Sequence, residues 1–435
     1  MSDQEIKRVI QPVYDIEDNP PLKEGFPLAV QHILAMFAGN ITAPIIVASM
    51  LGLAAADQTF LIQSALLAAA IGTWIQAGRR FKVGSSLPIV MGTSNAFIPT
   101  ITGIASRFGI GAVLGAGFVG GIFELLLGGV MPKIRKLFSH LVMGIVVLTI
   151  GITLIPVGIR QAAGGNVDFG SATNLLLAAL VLVTIILLNQ FGKGFFRASA
   201  ILLGIVVGYV AAIILGMVDF TSVAEASWVA FPTPFRYQWS FPPSAIIAMV
   251  MMYIVTAVET VGDVSAITMG GAGREATEEE ATGAVLADGA ASSIAAIFNA
   301  FPNTSYSQNV GVVTLTGVMS RHIVRLGAII LLAMSLLPKL AAVISLIPTA
   351  VLGGAAIIMF SMVASSGFVL LQRVQLNRRN LLIIAVSLGL GVGFNVVPSA
   401  LDILPDGLRL IFAETGVATA TLTAIFLDQT LPREE

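Results

Sequence analysis

From Phe26 almost to the C-terminus, apolar runs of about twenty residues follow one another, separated by short clusters of Gly, Pro and charge. A helix of that length rises roughly 30 Å, the thickness of a hydrocarbon core, so each run predicts a membrane-crossing helix. Seven windows fall near 28–52, 59–78, 87–106, 108–131, 137–159, 172–190 and 198–217. After a polar, aromatic-rich connection through Trp228, Arg236 and Trp239, seven more fall near 244–265, 281–299, 306–320, 324–345, 347–371, 379–396 and 407–428. The pattern therefore predicts an all-α polytopic membrane protein of about fourteen spans.

Composition agrees with the pattern. Of 435 residues 56% are hydrophobic and 11% charged, and the mean hydropathy is +0.92, so the apolar surface needs lipid. The net charge of -1 gives no reason to expect nucleic acid, and the absence of cysteine excludes disulfides, thiolate metal sites and cysteine nucleophiles. Residues 1–25 lack the basic start and cleavage pattern of a secretory signal and read as a retained cytoplasmic tail ahead of a single membrane domain over 26–435. Basic residues test the span count independently of hydropathy. With fourteen spans, 18 of the 23 Lys and Arg fall on the side of the N-terminus, Arg79, Arg80, Arg321 and Arg325 among them. Both termini are thereby placed in the cytoplasm of a multi-pass cell-membrane (inner-membrane) protein.

Two short segments recur half a chain apart. Gly92-Thr93-Ser94-Asn95-Ala96-Phe97 aligns with Asn303-Thr304-Ser305-Tyr306-Ser307-Gln308 at an offset of 211. The start of span five, His140-Leu141-Val142-Met143-Gly144, resembles Thr349-Ala350-Val351-Leu352-Gly353 at an offset of 209. Seven spans per half is odd, so the second half is inserted upside down, as an inverted repeat. Spans three and ten each begin with a small, hydroxyl-rich or Pro-bounded stretch, which tolerates membrane depth only inside the protein. Such a stretch followed by a half-helix leaves free N–H groups able to bind a substrate carbonyl, and the two stretches can pair as short antiparallel strands.

Candidate chemistry sits close to these breaks. Glu259 and Asp263 are four residues apart near the end of span eight and share a helical face, and Asp288 lies within apolar span nine. A carboxylate at bilayer depth costs roughly 2.5–3.5 kcal/mol on insertion scales, so it normally faces a cavity or takes up a proton. Asp263 has the alternative of hydration at the cytoplasmic boundary, and Glu124 in span four lacks polar company and reads as structural. Gln31-His32 opens span one, where an imidazole can pack, bond across helices or carry a proton. The run from Asn303 to Asn309 is rich in neutral hydrogen-bonding side chains, and Gln308 offers both donor and acceptor to the edge of a nucleobase. Gly115-Ala116-Gly117-Phe118-Val119-Gly120 fits a dinucleotide fingerprint but lies inside span four, where it reads as helix packing. No ATP-binding motif, zinc-protease motif or hydrolase set is present, which leaves an ion gradient as the drive and no cofactor.

These residues resemble the nucleobase–ascorbate transporters, also called nucleobase–cation symporter family 2. The likeness covers nearly the whole chain and rests on Gln31-His32, on Glu259-Thr260-Val261-Gly262-Asp263 and on the run from Pro302 to Gly311. Members similar to this chain are xanthine and uric acid permeases, whereas uracil carriers of the family tend to have Glu where Gln308 stands and His where Asp263 stands. The resemblance implies a homodimer in which a core domain (26–131 and 244–345) carries the substrate past a gate domain (132–243 and 346–430) in an elevator-like movement. It implies a purine base bound by Glu259 and Gln308 beside Asn95, Ala96, Phe97, Ser307 and Asn309, with His32, Asp263 and Asp288 supporting the site or its proton coupling. The family commonly has Phe after the span-three Ser; Asn95 stands there in this chain, removing one aromatic contact.

Three other readings have their own discriminants. A uracil or other nucleobase symporter would differ in the competition profile of uptake. An anion carrier of related fold would find its ligand repelled by a membrane acid, and a channel would not show saturable, competed uptake.

Overall fold

A computed structural model describes residues 12–432, apart from 135, 136, 138, 166, 167, 410 and 413–415. The first eleven residues of the expected tail and part of the expected last span thus lie outside the described residues. The first half runs α1 (Leu22–Met50), α2 (Ala55–Gln76), β1 (Met91–Thr93), a 3-10 turn (Asn95–Phe97), α3 (Ile98–Phe108), α4 (Ile110–Ile134), α5 (His140–Ala162), α6 (Ala172–Phe191), α7 (Phe195–Ala198) and α8 (Ala200–Ile214). A short α9 (Thr221–Glu225) leads to α10 (Pro243–Ala272), α11 (Glu278–Ile297), β2 (Asn303–Ser305) and α12 (Ser307–Thr316). The chain closes with α13 (Arg321–Ser335), α14 (Pro338–Ser345), α15 (Thr349–Leu371), α16 (Arg378–Val396), α17 (Asp406–Arg409) and α18 (Val417–Thr430).

Among the described residues eight helices are long and apolar enough to cross a membrane, or nine if α13 and α14 count as one span. These two meet at 85°, where the sequence pattern alone suggests one straight span. Pro338 stands at the start of α14, where it lacks an N–H for the preceding turn and ends α13. The expected spans three and ten are each a strand followed by a half-helix. The eleven residues of α3 rise about 16 Å, half the hydrocarbon thickness.

β1 and β2 pair antiparallel, with Met91 opposite Ser305, Gly92 opposite Thr304 and Thr93 opposite Asn303. The register carries the internal repeat. Shifting Thr93 forward by 211 gives Thr304, and shifting Asn303 back gives Gly92, which is another pair of the same ladder. The ladder thus maps onto itself under exchange of the two halves.

α5 and α15 show the same relation at an offset of 209. Gly144 packs on Leu371 and Gly158 on Ile357; their counterparts Gly353 and Gly367 pack on Ala162 and Leu148, the counterparts of Leu371 and Ile357. Removing the side chain lets the two helices approach backbone to backbone, which is how helices associate where lipid supplies no hydrophobic drive. The GxGxxG stretch in α4 is packing as well. Gly115 faces the Ser240 carbonyl, and Gly120 faces the ring of Tyr253, whose hydroxyl donates to the Gly117 carbonyl at 3.0 Å.

Helix starts in the loops are locally encoded. Ser139, Ser171 and Asn377 each accept a first-turn N–H, and Thr277 with Glu280 forms a capping box on α11.

Candidate functional site

The strand pair sits inside the protein, and its outer edges cannot reach water. Polar side chains close them instead. Thr73 of α2 accepts from Met91 N at 2.9 Å, and Ser292 of α11 accepts from Asn303 N and donates to Asn303 O, both at 3.0 Å. Asn40 of α1 accepts from Thr93 N at 2.7 Å, and Tyr306 donates its hydroxyl to Thr93 O at 2.7 Å. Gly92 is needed where the strands cross α1, because a Cβ there would lie 2.6 Å from Met36 Cε and 2.8 Å from Asn40 Oδ1.

The acidic residues divide by what they touch. Asp263 is buried and accepts from Ser305 at 2.6 Å and from Ser307 at 2.7 Å. It therefore fixes both ends of the link between β2 and α12. Asp288 is fully buried and accepts from Thr260 in a short hydrogen bond and from Thr304 at 3.4 Å through the same oxygen, its other oxygen having no partner. Among the described residues Glu259 makes no such bond. Its Oε2 is buried without a partner. Glu124, read from sequence as lacking polar company, takes a 3.4 Å contact from the Thr256 hydroxyl, and its second oxygen is likewise unpartnered. Among the described residues none of these four carboxyls is in an ion pair.

Glu259 lines two adjoining spaces. One is a small cavity of about 30 Å³ beside the strand pair, walled by Ser94, Asn95, Ala96, Ser307 and Gln308 on one side and by Ile150, Leu154 and Val363 of α5 and α15 on the other. That is room for only a few waters. The second is a vestibule of about 200 Å³ between α10 and α5, whose lining includes Val147, Gly262, Asp263 and Ser307 and which extends to His140 and Arg373. Gln308 makes no side-chain hydrogen bond among the described residues and lies on the small cavity. Asn95 Oδ1 is also buried and unpartnered. α12 and the 3-10 turn before α3 both begin at this cavity, which is lined by Ser307 and Gln308 of the one and by Asn95 and Ala96 of the other.

Other residues from the sequence reading fall elsewhere. Phe97 is fully buried against Tyr253, with ring centroids 4.8 Å apart, and is not among the lining residues of the cavity. Asn309 donates to His32 O at 3.0 Å and lies 3.0 Å from His32 Nδ1, so the pair ties α12 to α1. Asn40, Thr260, Ser292 and Tyr306 were missed. Asn40 and Ser292 carry a signal that could have found them: a polar side chain inside an apolar span must bond to something.

The sequence pattern of the Permease family matches residues 23–400. The uric acid permease PucJ of Bacillus subtilis is 38% identical over 412 residues, covering 93% of this chain and 91% of that protein. The xanthine permease of the same organism is 38% identical over 415 residues, covering 94% of each. The transmembrane domain of a cyanobacterial bicarbonate transporter, BicA, superposes with a TM-score of 0.63 over 91% of this chain and 98% of that domain, at 16% identity, a likeness of fold alone. Eight apolar membrane-length helices, a strand pair between half-helices and this match along the chain agree: the protein is an integral membrane transporter that belongs to the Permease family, among the nucleobase–ascorbate transporters its motifs resemble.

Proposed function

We propose that this permease imports a purine base, xanthine or uric acid, together with a proton. The observation that carries the reading is the division of labour among the acids. Asp263 and Asp288 are occupied in holding the broken segment, while Glu259 presents an uncommitted carboxyl to both the small cavity and the vestibule. An unpaired buried carboxylate is costly, and either a proton or substrate N–H donors offset that cost. Gln308, on the same cavity and with no side-chain hydrogen bond among the described residues, complements the carboxyl with both donor and acceptor groups. The relatives' names, uric acid and xanthine permease, support the purine class.

The same reading takes fourteen spans with both termini in the cytoplasm. It assigns the strand pair, α1, α10, α11 and α12 to a moving core, and α5 and α15, whose Ile150, Leu154 and Val363 close the cavity, to a gate. The expected movement is of elevator type: the core slides with its base past the apolar wall, and the vestibule is the release path. A uracil-type specificity is the runner-up.

The test is uptake of labelled xanthine into proteoliposomes under an imposed pH gradient. Accumulation should require the gradient, saturate, and be competed by uric acid more than by uracil or bicarbonate. Glu259→Gln should abolish gradient-driven accumulation while exchange of bound base partly survives. Undiminished gradient-dependent uptake by that variant would remove Glu259 from the coupling.

A further inference from the structure

Away from the strand pair, two clefts meet on either side of Trp74 and Arg325. One, of about 570 Å³, runs under Pro20, Leu22, Trp74, His322, Arg325 and Ile329. The other, of about 520 Å³, is lined by Trp74, Gly78, Arg79, Arg80, Phe81 and Arg325. The Arg325 guanidinium carbon lies 5.7 Å from the centre of the Trp74 ring, an arrangement that fixes the cation over the aromatic face.

Two of the cations there lack an ion-pair contact, although Glu17 acts on Arg325 at longer range. Arg79 is neutralised by Glu279 at 2.7 Å and Arg321 by Glu17 at 2.6 Å, but among the described residues Arg325 and Arg80 have no carboxylate. Among the described residues Arg325 Nε is buried without a hydrogen-bond partner. Its terminal nitrogens likewise make no hydrogen bond among the described residues, and facing the clefts they offer an oxyanion two parallel donors.

The rim is apolar. Phe81 is 92% exposed, Leu22 68%, and Trp74 and Ile329 51% each. Phe81 is held outward by a tight turn in which Arg80 and Val83 exchange both backbone hydrogen bonds at 3.0 Å, and Phe81 and Lys82 take φ of 52° and 69°. Neither residue favours positive φ, so the exposed ring is imposed by the turn. An aromatic side chain set outward beside unpaired arginines, at the end of a membrane helix, matches the boundary between headgroups and acyl chains.

We propose that Arg325, Arg80 and Trp74 bind the phosphate of an anionic phospholipid, with Phe81 and Ile329 against its acyl chains. The site is independent of the purine reading. It stabilises the core elements α2 and α13 against the membrane plane, and makes lipid charge a determinant of stability.

Native mass spectrometry of the full-length protein in detergent, titrated with phosphatidylglycerol or phosphatidylcholine, tests this directly. Wild type should retain phosphatidylglycerol preferentially, and Arg325→Gln should weaken that retention roughly fivefold while leaving phosphatidylcholine unchanged. Arg325→Lys, which keeps charge but loses the planar fork, should fall between. Arg80→Gln lies on an exposed turn and gives a second reading should Arg325→Gln unfold. Equal retention of the two lipids, or wild-type retention by Arg325→Gln and Arg80→Gln, overturns the proposal. Displacement of the lipid by millimolar inorganic phosphate would identify a small-anion site and overturn the lipid assignment.

Discussion

Three carboxyls lie around the strand pair, and the hydroxyls that donate to them set two apart from the third. Glu259, Asp263 and Asp288 look alike as carboxyls in apolar runs, because hydropathy measures the cost of burial and says nothing about bonding partners. Two hydroxyls on Asp263 and two on Asp288 separate them from Glu259, and these bonds depend on the fold bringing together residues 16 to 44 positions apart. Gln308 was legible for a different reason: an amide at the start of a half-helix has few backbone partners to satisfy. Its free amide now yields a specific expectation. Gln308→Glu replaces an acceptor and two donors by acceptors alone in the same volume. One base acceptor then faces a carboxylate, at a cost of about 1–3 kcal/mol, which corresponds to roughly a tenfold to hundredfold loss of affinity. Competition of labelled xanthine uptake by xanthine and by uracil checks it, with xanthine losing more. Equal losses for both bases would make Gln308 scaffolding.

At the element scale, the broken segments could be read from sequence because their polarity is incompatible with lipid, and the repeat offset of 211 already paired them. What sequence did not show is the bend between α13 and α14: Leu336-Leu337-Pro338 is as apolar as an unbroken helix, and only the geometry of Pro338 marks the break. The strand crossing depends on Gly92, whose absent side chain leaves room for Met36, Asn40 and the Tyr306 ring at once. Gly92→Ala forces one of them to give. Asn40 is the most exposed to loss, since its 2.7 Å bond to Thr93 N is the one satisfying that strand donor. Overpacking of this kind costs about 1–3 kcal/mol, so the thermal midpoint in detergent should fall and base binding should weaken with it. A Gly92→Ala protein with unchanged midpoint and unchanged xanthine binding would mean that the crossing is looser than the contacts of Gly92 require.

At the scale of the whole molecule, the two halves interlock through symmetric contacts, yet the cavity wall is drawn from elements assigned to opposite sides of a proposed movement. α10 contributes Glu259, Gly262 and Asp263 to the vestibule, and α5 contributes Met143 and Val147. Within the vestibule Gly262 has no heavy atom within 4 Å of where a Cβ would stand, so a side chain fits there without displacing anything. Because the chain has no cysteine of its own, Val147→Cys with Gly262→Cys introduces a single defined pair facing across the vestibule. In a carrier whose core slides along the gate, the distance between these positions changes during each cycle, and a short bifunctional thiol reagent bridging them fixes the core in place. Xanthine accumulation should be lost on cross-linking and restored when a cleavable cross-linker is reduced, while each single-cysteine protein treated in the same way keeps transporting. Continued transport by the fully cross-linked pair would show that α5 and α10 hold their separation throughout the cycle. Transport would then have to proceed by local opening around Glu259 and the half-helix of α12, with no sliding of one body past the other.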